Sequence, residues 1–168
     1  MKLLPNNPRQ KSKQRFSRYL SEDSEVCQQK IFSLGVRIAM PCFILFTNVP
    51  ASAIPKGFLS ETTKVIAKAI RKPEAFITVR IHPGQMMTHG GTTDPCASSE
   101  MQAIGHISAA ENAEMSRQIS EFLKSKLQID NRRNYIKFTD LSPHEVGYEG
   151  TTFGELVKDP KWATLLAQ

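Results

Sequence analysis

Met40-Pro41-Cys42-Phe43-Ile44-Leu45-Phe46-Thr47-Asn48-Val49-Pro50 is the stretch that decides the fold of this 168-residue chain. Cys42 to Phe46 is a continuous apolar run with the length of a buried strand, and a proline bounds it on each side. Pro50 must end the strand because proline has no amide hydrogen to donate to a neighbouring strand. Pro41, taken alone, is a tolerated edge residue at the head of a strand.

Charge is distributed unevenly along the chain, whose formal net charge is +6. Residues 1–40 carry eight basic and three acidic residues, a balance of +5, whereas residues 41–168 carry 14 and 13, a balance of +1. The body has no basic groove with interleaved aromatic residues, which argues against nucleic-acid binding. The polar, charge-rich composition of 1–40 predicts a largely disordered N-terminal extension.

Three cysteines without a close pair, Cys27, Cys42 and Cys96, indicate neither a disulfide framework nor a zinc site. The four histidines show no metal-ligand spacing, so we expect no metal site. No run approaches the roughly 18 apolar residues of a membrane span, so we expect no membrane insertion. Arg37 interrupts the apolar stretch at 31–40, which makes that stretch a poor secretory signal.

Apolar periodicity along the body alternates between strand and helix patterns. Ser108 and Glu111 match a capping box, which marks the start of the second helix, and Pro73 ends the first. Gly147 and Gly150 are the predicted turn residues of a short strand or hairpin at 146–153. The predicted elements are a strand at 42–46, a helix at 51–72, a strand at 76–83, a strand at 101–107, a helix from 108, a strand at 135–141, a short strand or hairpin at 146–153 and a short helix or tail at 154–168.

Two βαβ units side by side predict an α+β fold with one mixed four-stranded sheet and both helices on one face. The other face is then left bare, with apolar residues expected on both sides of the strands. A bare apolar face predicts an oligomer. The domain boundaries that follow are an N-terminal extension at 1–40, one domain at 41–153 and a C-terminal tail at 154–168.

Several short motifs in the body have an order and spacing that resemble a known family. They are TNVP at Thr47–Pro50, GFLSE at Gly57–Glu61, Lys72-Pro73, Gly90-Gly91, PCA at Pro95–Ala97, SAAEN at Ser108–Asn112 and TTF at Thr151–Phe153. From Pro41 to Phe153 the chain is similar to the macrophage migration inhibitory factor family, of the tautomerase superfamily. The resemblance implies a homotrimer with one site at each subunit interface.

The resemblance also implies a keto–enol tautomerase that acts without a cofactor on phenylpyruvate-like or dopachrome-like substrates, with a small aromatic keto acid as the expected partner. Pro41 is then the catalytic base and Lys72 the cation that binds the substrate carboxylate. Ile104 and Phe153 line the pocket, and Tyr135 reaches in from the neighbouring subunit. Taken singly, each residue also has a purely structural interpretation. Lys72 could be a cation that interacts favourably with a helix C-terminus, Ile104 could be a core residue, and Tyr135 could be a core tyrosine on one face of a strand.

The chain departs from the family pattern at three positions. Lys137 stands where the family often has an asparagine and adds a second cation to the expected substrate-binding set. Tyr148 takes the place of a tryptophan. Cys96 is a single thiol where cytokine members have Cys-x-x-Cys, and one thiol cannot form an intramolecular disulfide. We therefore discount thiol-oxidoreductase activity.

The proposed base depends on the state of its nitrogen. A proline at a true N-terminus is a secondary amine, and an α-amino group has a pKa near ~8. Burial and a nearby cation lower that pKa towards the operating pH, where a general base works best. An internal Pro41 is a tertiary amide without a basic lone pair. We expect the working protein to begin at Pro41, after initiation at Met40 and methionine removal or after proteolysis.

Two non-enzymatic readings stay open beside the tautomerase. The first is a secreted, cytokine-like ligand for a cell-surface receptor, which needs the trimer surface but not the amine; it is the alternative if Pro41 stays internal. The second is a non-catalytic variant whose basic residues 1–39 bind an acidic partner. The family leaves cells without a signal peptide, so the resemblance implies secretion by that route together with a cytoplasmic location.

Overall fold

The computed structural model describes residues 40–159 and Trp162, and the predictions for the other residues, including the disordered extension, lie outside that part of the chain. The six strands are β1 (Cys42–Thr47), β2 (Thr78–His82), β3 (Ala97–Ala103), β4 (Asn134–Asp140), β5 (Gly147–Tyr148) and β6 (Thr151–Thr152). The helices are α1 (Phe58–Ile70), α2 (Ala109–Leu127) and α3 (Phe153–Leu156). Within the described residues, none of the helices has the length and apolarity that a membrane span requires.

The main sheet has the strand order β2-β1-β3-β4. β2 runs parallel to β1, and β4 runs parallel to β3, whereas β1 and β3 are antiparallel. Each parallel pair is joined through a helix, so the chain forms two βαβ units, as predicted. The predicted mixed four-stranded sheet is confirmed. β1 lies between β2 and β3, and this central position explains why it is apolar from Cys42 to Phe46.

The core lies between one face of this sheet and the two long helices. Phe43 and Leu45 of β1 are completely buried and belong to one cluster with Ile66 of α1 and Leu123 of α2. Burying apolar side chains of this size contributes about 1.5–3 kcal/mol each to stability. Both helices therefore cover the same face of the sheet, as predicted.

The opposite, open face of the sheet is not the apolar surface that the sequence led us to expect. Only β1 places apolar side chains there: Cys42, Ile44 and Phe46. The other strands present polar or charged side chains or a tyrosine, namely Thr78, Arg80, His82, Ser98, Glu100, Gln102, Tyr135, Lys137 and Thr139. The polar neighbours contact the apolar centre, as in the stacking of Phe46 on His82 with ring centroids 4.7 Å apart. The prediction of a bare apolar face was therefore wrong, and this face does not by itself indicate an oligomer.

Backbone conformation accounts for two wrong element boundaries. The first helix begins at Phe58 rather than at 51, because Gly57 has a φ of +83°, which interrupts helical geometry. The third strand spans 97–103 rather than 101–107, because Gly105 (φ +73°) and His106 (φ +61°) turn the chain after Ala103.

The terminal hairpin also differs in detail from its prediction. Gly147 lies in β5 and is not a turn residue. The turn is made by Glu149 and Gly150, whose φ values of +49° and +77° are both positive, as a type I′ hairpin turn requires. Phe153, predicted to end a strand, instead begins α3.

The capping box at the start of α2 is confirmed. Glu111 donates its backbone N–H to the Ser108 hydroxyl at 3.4 Å, and Ser108 donates its own N–H to the Glu111 carboxylate at 3.2 Å. The Ser108 hydroxyl also donates to this carboxylate at 2.6 Å. That side-chain hydrogen bond is the main reason why the pKa of Glu111 lies below its ordinary value.

Candidate functional site

Strand direction brings four chain segments together at the end of the sheet where Pro41 lies. β1 and β2 begin at this end, and Thr78 donates its backbone N–H to the Pro41 carbonyl at 2.9 Å. β3 and β4 finish there, and Leu141 donates its N–H to the Ala103 carbonyl at 2.8 Å. We call this region the Pro41 end of the sheet.

A second apolar cluster, separate from the main core, occupies the Pro41 end. Its buried members are Ile104, Val146, Phe153 and Val157, and Met40, Leu141, Leu156 and Trp162 pack against them. Pro41 itself is buried. The cluster thus joins two predicted pocket residues, Ile104 and Phe153, to the residue that precedes the predicted base.

Lys72 reaches the same end through the βαβ connection. Because α1 links the far end of β1 to the start of β2, its C-terminus lies at the Pro41 end. Arg71 ends the helix in the left-handed conformation (φ +57°), and Lys72 donates its N–H to the Ala67 carbonyl at 3.0 Å. Lys72 is half-buried and follows this cap directly.

Polar contacts hold the turn that follows Ile104. Gly105 donates its N–H to the Asp140 carboxylate at 2.8 Å, which ties the turn to the end of β4. The ring Nδ1 of His106 lies 3.2 Å from the Glu111 carboxylate, which ties the turn to the start of α2. Asp140 was not identified from the sequence, because nothing in its local pattern shows which turn it would contact.

Tyr135 and Lys137 do not join this group within one chain. β4 starts at the opposite end of the sheet, where Tyr135 lies in register with Ser98 and, through it, with Phe46. Phe46 is five residues along β1 from Pro41, which corresponds to roughly 17 Å. Lys137 is exposed on the open face.

Tyr135 is 73% exposed, so it is not the buried strand-face tyrosine considered from the sequence. Its ring lies against that of His89, with centroids 4.9 Å apart. His89 belongs to the loop at 89–95, and Arg133 holds this loop through hydrogen bonds to four of its carbonyls. Asn48 also donates to that loop, through Nδ2 to the Thr93 carbonyl at 2.8 Å.

A surface recess of about 370 Å³ lies near the far end of β1. Its lining residues are Asn48, Val49, Pro50, Ala53, Thr93, Pro95, Lys126, Leu127 and Gln128. None of the predicted site residues belongs to it. The chemistry predicted from the sequence therefore concerns the Pro41 end and not this recess.

Several residues of the Pro41 end were missed from the sequence. Met40, Leu141 and Val146 carry no local signal, because apolar residues of these types are usual in any core. Trp162 is the single tryptophan of the chain. It was assigned to a tail of no evident function, although a large aromatic residue so far from the rest of the pattern could have prompted a search for a docking site.

Comparison with known proteins agrees with this fold. The family model described as macrophage migration inhibitory factor matches residues 40–154. Macrophage migration inhibitory factor from Rattus norvegicus is 43% identical over 114 residues, which cover 68% of this chain and 99% of the rat protein. The homolog from Brugia malayi is 35% identical over 115 residues, which cover 68% of this chain and all of that protein.

A solved structure of this family is also similar to the chain. The macrophage migration inhibitory factor from Trichinella spiralis is 36% identical, covers 67% of this chain and 99% of its own, and superposes with a TM-score of 0.65. The match to the family model over residues 40–154 and the identity to full-length relatives lead to one conclusion: the chain belongs to the macrophage migration inhibitory factor family.

Proposed function

We propose that this protein is a keto–enol tautomerase for small aromatic substrates of the phenylpyruvate or dopachrome type, with Pro41 as its general base. One observation carries the proposal: Pro41 is buried beside an apolar cluster that contains Ile104 and Phe153. An aromatic substrate ring needs such apolar surroundings, and a general base must lie beside it.

The base acts only when Met40 has been removed. Met40 packs against the apolar cluster, so its removal both frees the secondary amine and vacates apolar space next to it. Burial of Pro41 disfavours the charged ammonium form and so lowers the pKa of the amine. The hydrogen bond from Thr78 to the Pro41 carbonyl keeps the residue in place.

The reaction moves one proton. The amine takes a proton from the carbon next to the ketone, the C–H electron pair forms a carbon–carbon double bond, and the carbonyl oxygen becomes an enolate that is then protonated. Lys72 binds the substrate carboxylate, and its positive charge lowers the free energy of the developing enolate. Ile104 and Phe153 enclose the ring.

Tyr135 and Lys137 complete the site from a neighbouring subunit of a homotrimer. The position of Tyr135 at the far end of the sheet from Pro41 supports this arrangement, as does the exposure of both residues on β4. Tyr135 then contacts the substrate ring, and Lys137 adds a second cation for the carboxylate.

The test compares two chains that differ by one residue. A chain of residues 41–168 with a free Pro41 amine should tautomerise phenylpyruvate, measured by the change in enol absorbance. The same chain with one alanine added before Pro41 should lose activity by about 10²–10⁴-fold, the usual contribution of a general base. Intact mass confirms each N-terminus, and circular dichroism confirms folding. Equal turnover by the two chains would exclude Pro41 as the base.

The second candidate is a non-catalytic, cytokine-like trimer that binds a cell-surface receptor and is secreted without a signal peptide. It is favoured if Pro41 keeps its amide bond to Met40, whose packing at the Pro41 end accommodates the uncleaved chain. Replacing Pro41 by glycine in the 41–168 chain separates the two functions. Signalling that survives the loss of turnover would make catalysis dispensable for receptor binding; loss of both would mean that they share the same determinants.

A further inference from the structure

The segment after Gly154 is additional to the relatives. The family match ends at residue 154, and the 114 aligned residues of the rat protein already cover 99% of its length. Nevertheless, Val157 is buried in the Pro41-end cluster, and Leu156 and Trp162 pack against that cluster. Residues outside the family pattern therefore contribute to the surroundings of the predicted site.

Backbone hydrogen bonds make this segment continuous with the domain. Phe153 donates its N–H to the Val146 carbonyl at 3.0 Å, which fixes the start of α3 to the preceding hairpin. Val157 donates to the Phe153 carbonyl at 3.1 Å, and Asp159 donates to that of Leu156 at 3.0 Å. The helical turn therefore persists to Asp159.

Three aromatic rings, those of Phe153, Tyr148 and Trp162, form a row that begins at the Pro41-end cluster. Phe153 is 1% exposed and stacks on Tyr148, with centroids 5.3 Å apart and planes 10° apart. Trp162 meets Tyr148 edge to face at 5.8 Å and 84°. Offset-stacked and edge-to-face arrangements are the preferred geometries of aromatic pairs. Trp162 is therefore the last ring of an ordered row that starts at the predicted pocket wall, and it is less exposed than Tyr148 between them.

We propose that Trp162 is a specificity-determining residue of the Pro41 site. Its indole forms the outer wall of the apolar space next to Ile104 and Phe153 and limits the size of the aromatic ring that the site accepts. Keto acids with a phenyl ring are favoured over keto acids with the larger naphthyl ring. This inference rests on the proposed tautomerase function, because it concerns the substrate of that site.

The first experiment measures size selectivity in the 41–168 chain. Phenylpyruvate and 2-naphthylpyruvate are compared for the parent chain and for Trp162→Ala and Trp162→Phe. For Trp162→Ala, the ratio of kcat/KM for the naphthyl over the phenyl substrate should rise about tenfold, a typical effect of changing one pocket wall. For phenylpyruvate, KM should rise while kcat stays nearly constant, because the indole is remote from the reacting atoms. The selectivity ratio of Trp162→Phe should lie between that of the parent chain and that of Trp162→Ala.

Lys158→Ala is the matched control. Lys158 lies on the same segment, is exposed, and forms an ion pair with the equally exposed Glu155 at 2.8 Å. It should leave the selectivity ratio unchanged. An unchanged ratio in Trp162→Ala, or an equal change in Lys158→Ala, would overturn the assignment of Trp162.

A binding measurement separates this inference from the proposed function. Trp162 is the only tryptophan, so intrinsic tryptophan fluorescence reports on this side chain alone. Titration with 3-phenylpropionate, which has no ketone and cannot tautomerise, should change the emission saturably. If phenylpyruvate is not turned over but the emission still changes, the tautomerase proposal fails and the wall assignment stands. If turnover occurs without any emission change, the wall assignment fails alone; if neither occurs, both fail.

Discussion

Replacing Arg133 by alanine should release the loop at 89–95. The guanidinium donates hydrogen bonds to the carbonyls of His89 (3.0 Å), Thr92 (3.3 Å), Asp94 (3.0 Å) and Pro95 (3.1 Å). Arg133 is therefore the main tie between this loop and the start of β4. The loop carries His89, which packs on Tyr135.

The expected cost follows from these four bonds. Each intramolecular hydrogen bond contributes about 0.5–1.5 kcal/mol net, and most of these are partly accessible to water, so values at the lower end apply. Arg133→Ala should therefore lower the free energy of unfolding by about 2–4 kcal/mol. Arg133→Lys keeps the charge but not the fork of donors, and should lose roughly half as much.

Arg132→Ala is a control one residue away. The Arg132 side chain is 91% exposed and forms an ion pair with Asp130 at 3.0 Å. Ion pairs between exposed side chains contribute little to stability, so Arg132→Ala should shift the urea midpoint much less than Arg133→Ala does.

The assay is urea unfolding of the full chain at neutral pH and one fixed protein concentration. With a urea m-value of about 2 kcal/mol/M, the Arg133→Ala midpoint should fall by about 1–2 M at unchanged slope. Amide exchange should also accelerate within 89–95. Equal midpoints for Arg133→Ala and Arg132→Ala would refute the view that the four hydrogen bonds hold this loop.

Two further stability predictions follow from the helices. Ser108→Ala removes the capping box of α2 and should cost about 1 kcal/mol in urea unfolding at pH 7. Because the folded-state pKa of Glu111 is lowered, its contribution is complete above its unfolded pKa of about 4.3 and is lost as pH falls through the folded pKa. The difference between wild type and Ser108→Ala should therefore shrink below about pH 4; a constant difference would contradict the assigned cause. Leu123→Ala, in the core, should cost about 2–5 kcal/mol, whereas Leu59→Ala, at a residue that is 55% exposed, should shift the midpoint very little; equal losses would argue against the assigned core.

Much of the fold could be predicted because it depends on short patterns. The apolar run at 42–46 predicted a buried strand, and the spacing around Ser108 predicted the start of α2. The prediction for the open sheet face failed because the apolar pattern of β1 was extended to all strands. In β2, β3 and β4, alternation places polar side chains or a tyrosine on that face, and which set of residues faces the helices is known only once the register is known.

The sequence by itself determined the order of elements, the capping box and the family, because each depends on residues close together in the chain. Tertiary structure alone decided which distant residues meet. In the folded chain, one end of the sheet holds Met40, Ile104, Phe153 and Trp162. Because of the direction of β4, Tyr135 lies at the other end. The physical reason is that a strand advances about 3.3 Å per residue, so its direction sets which of its ends meets the site. Local patterns do not specify that direction.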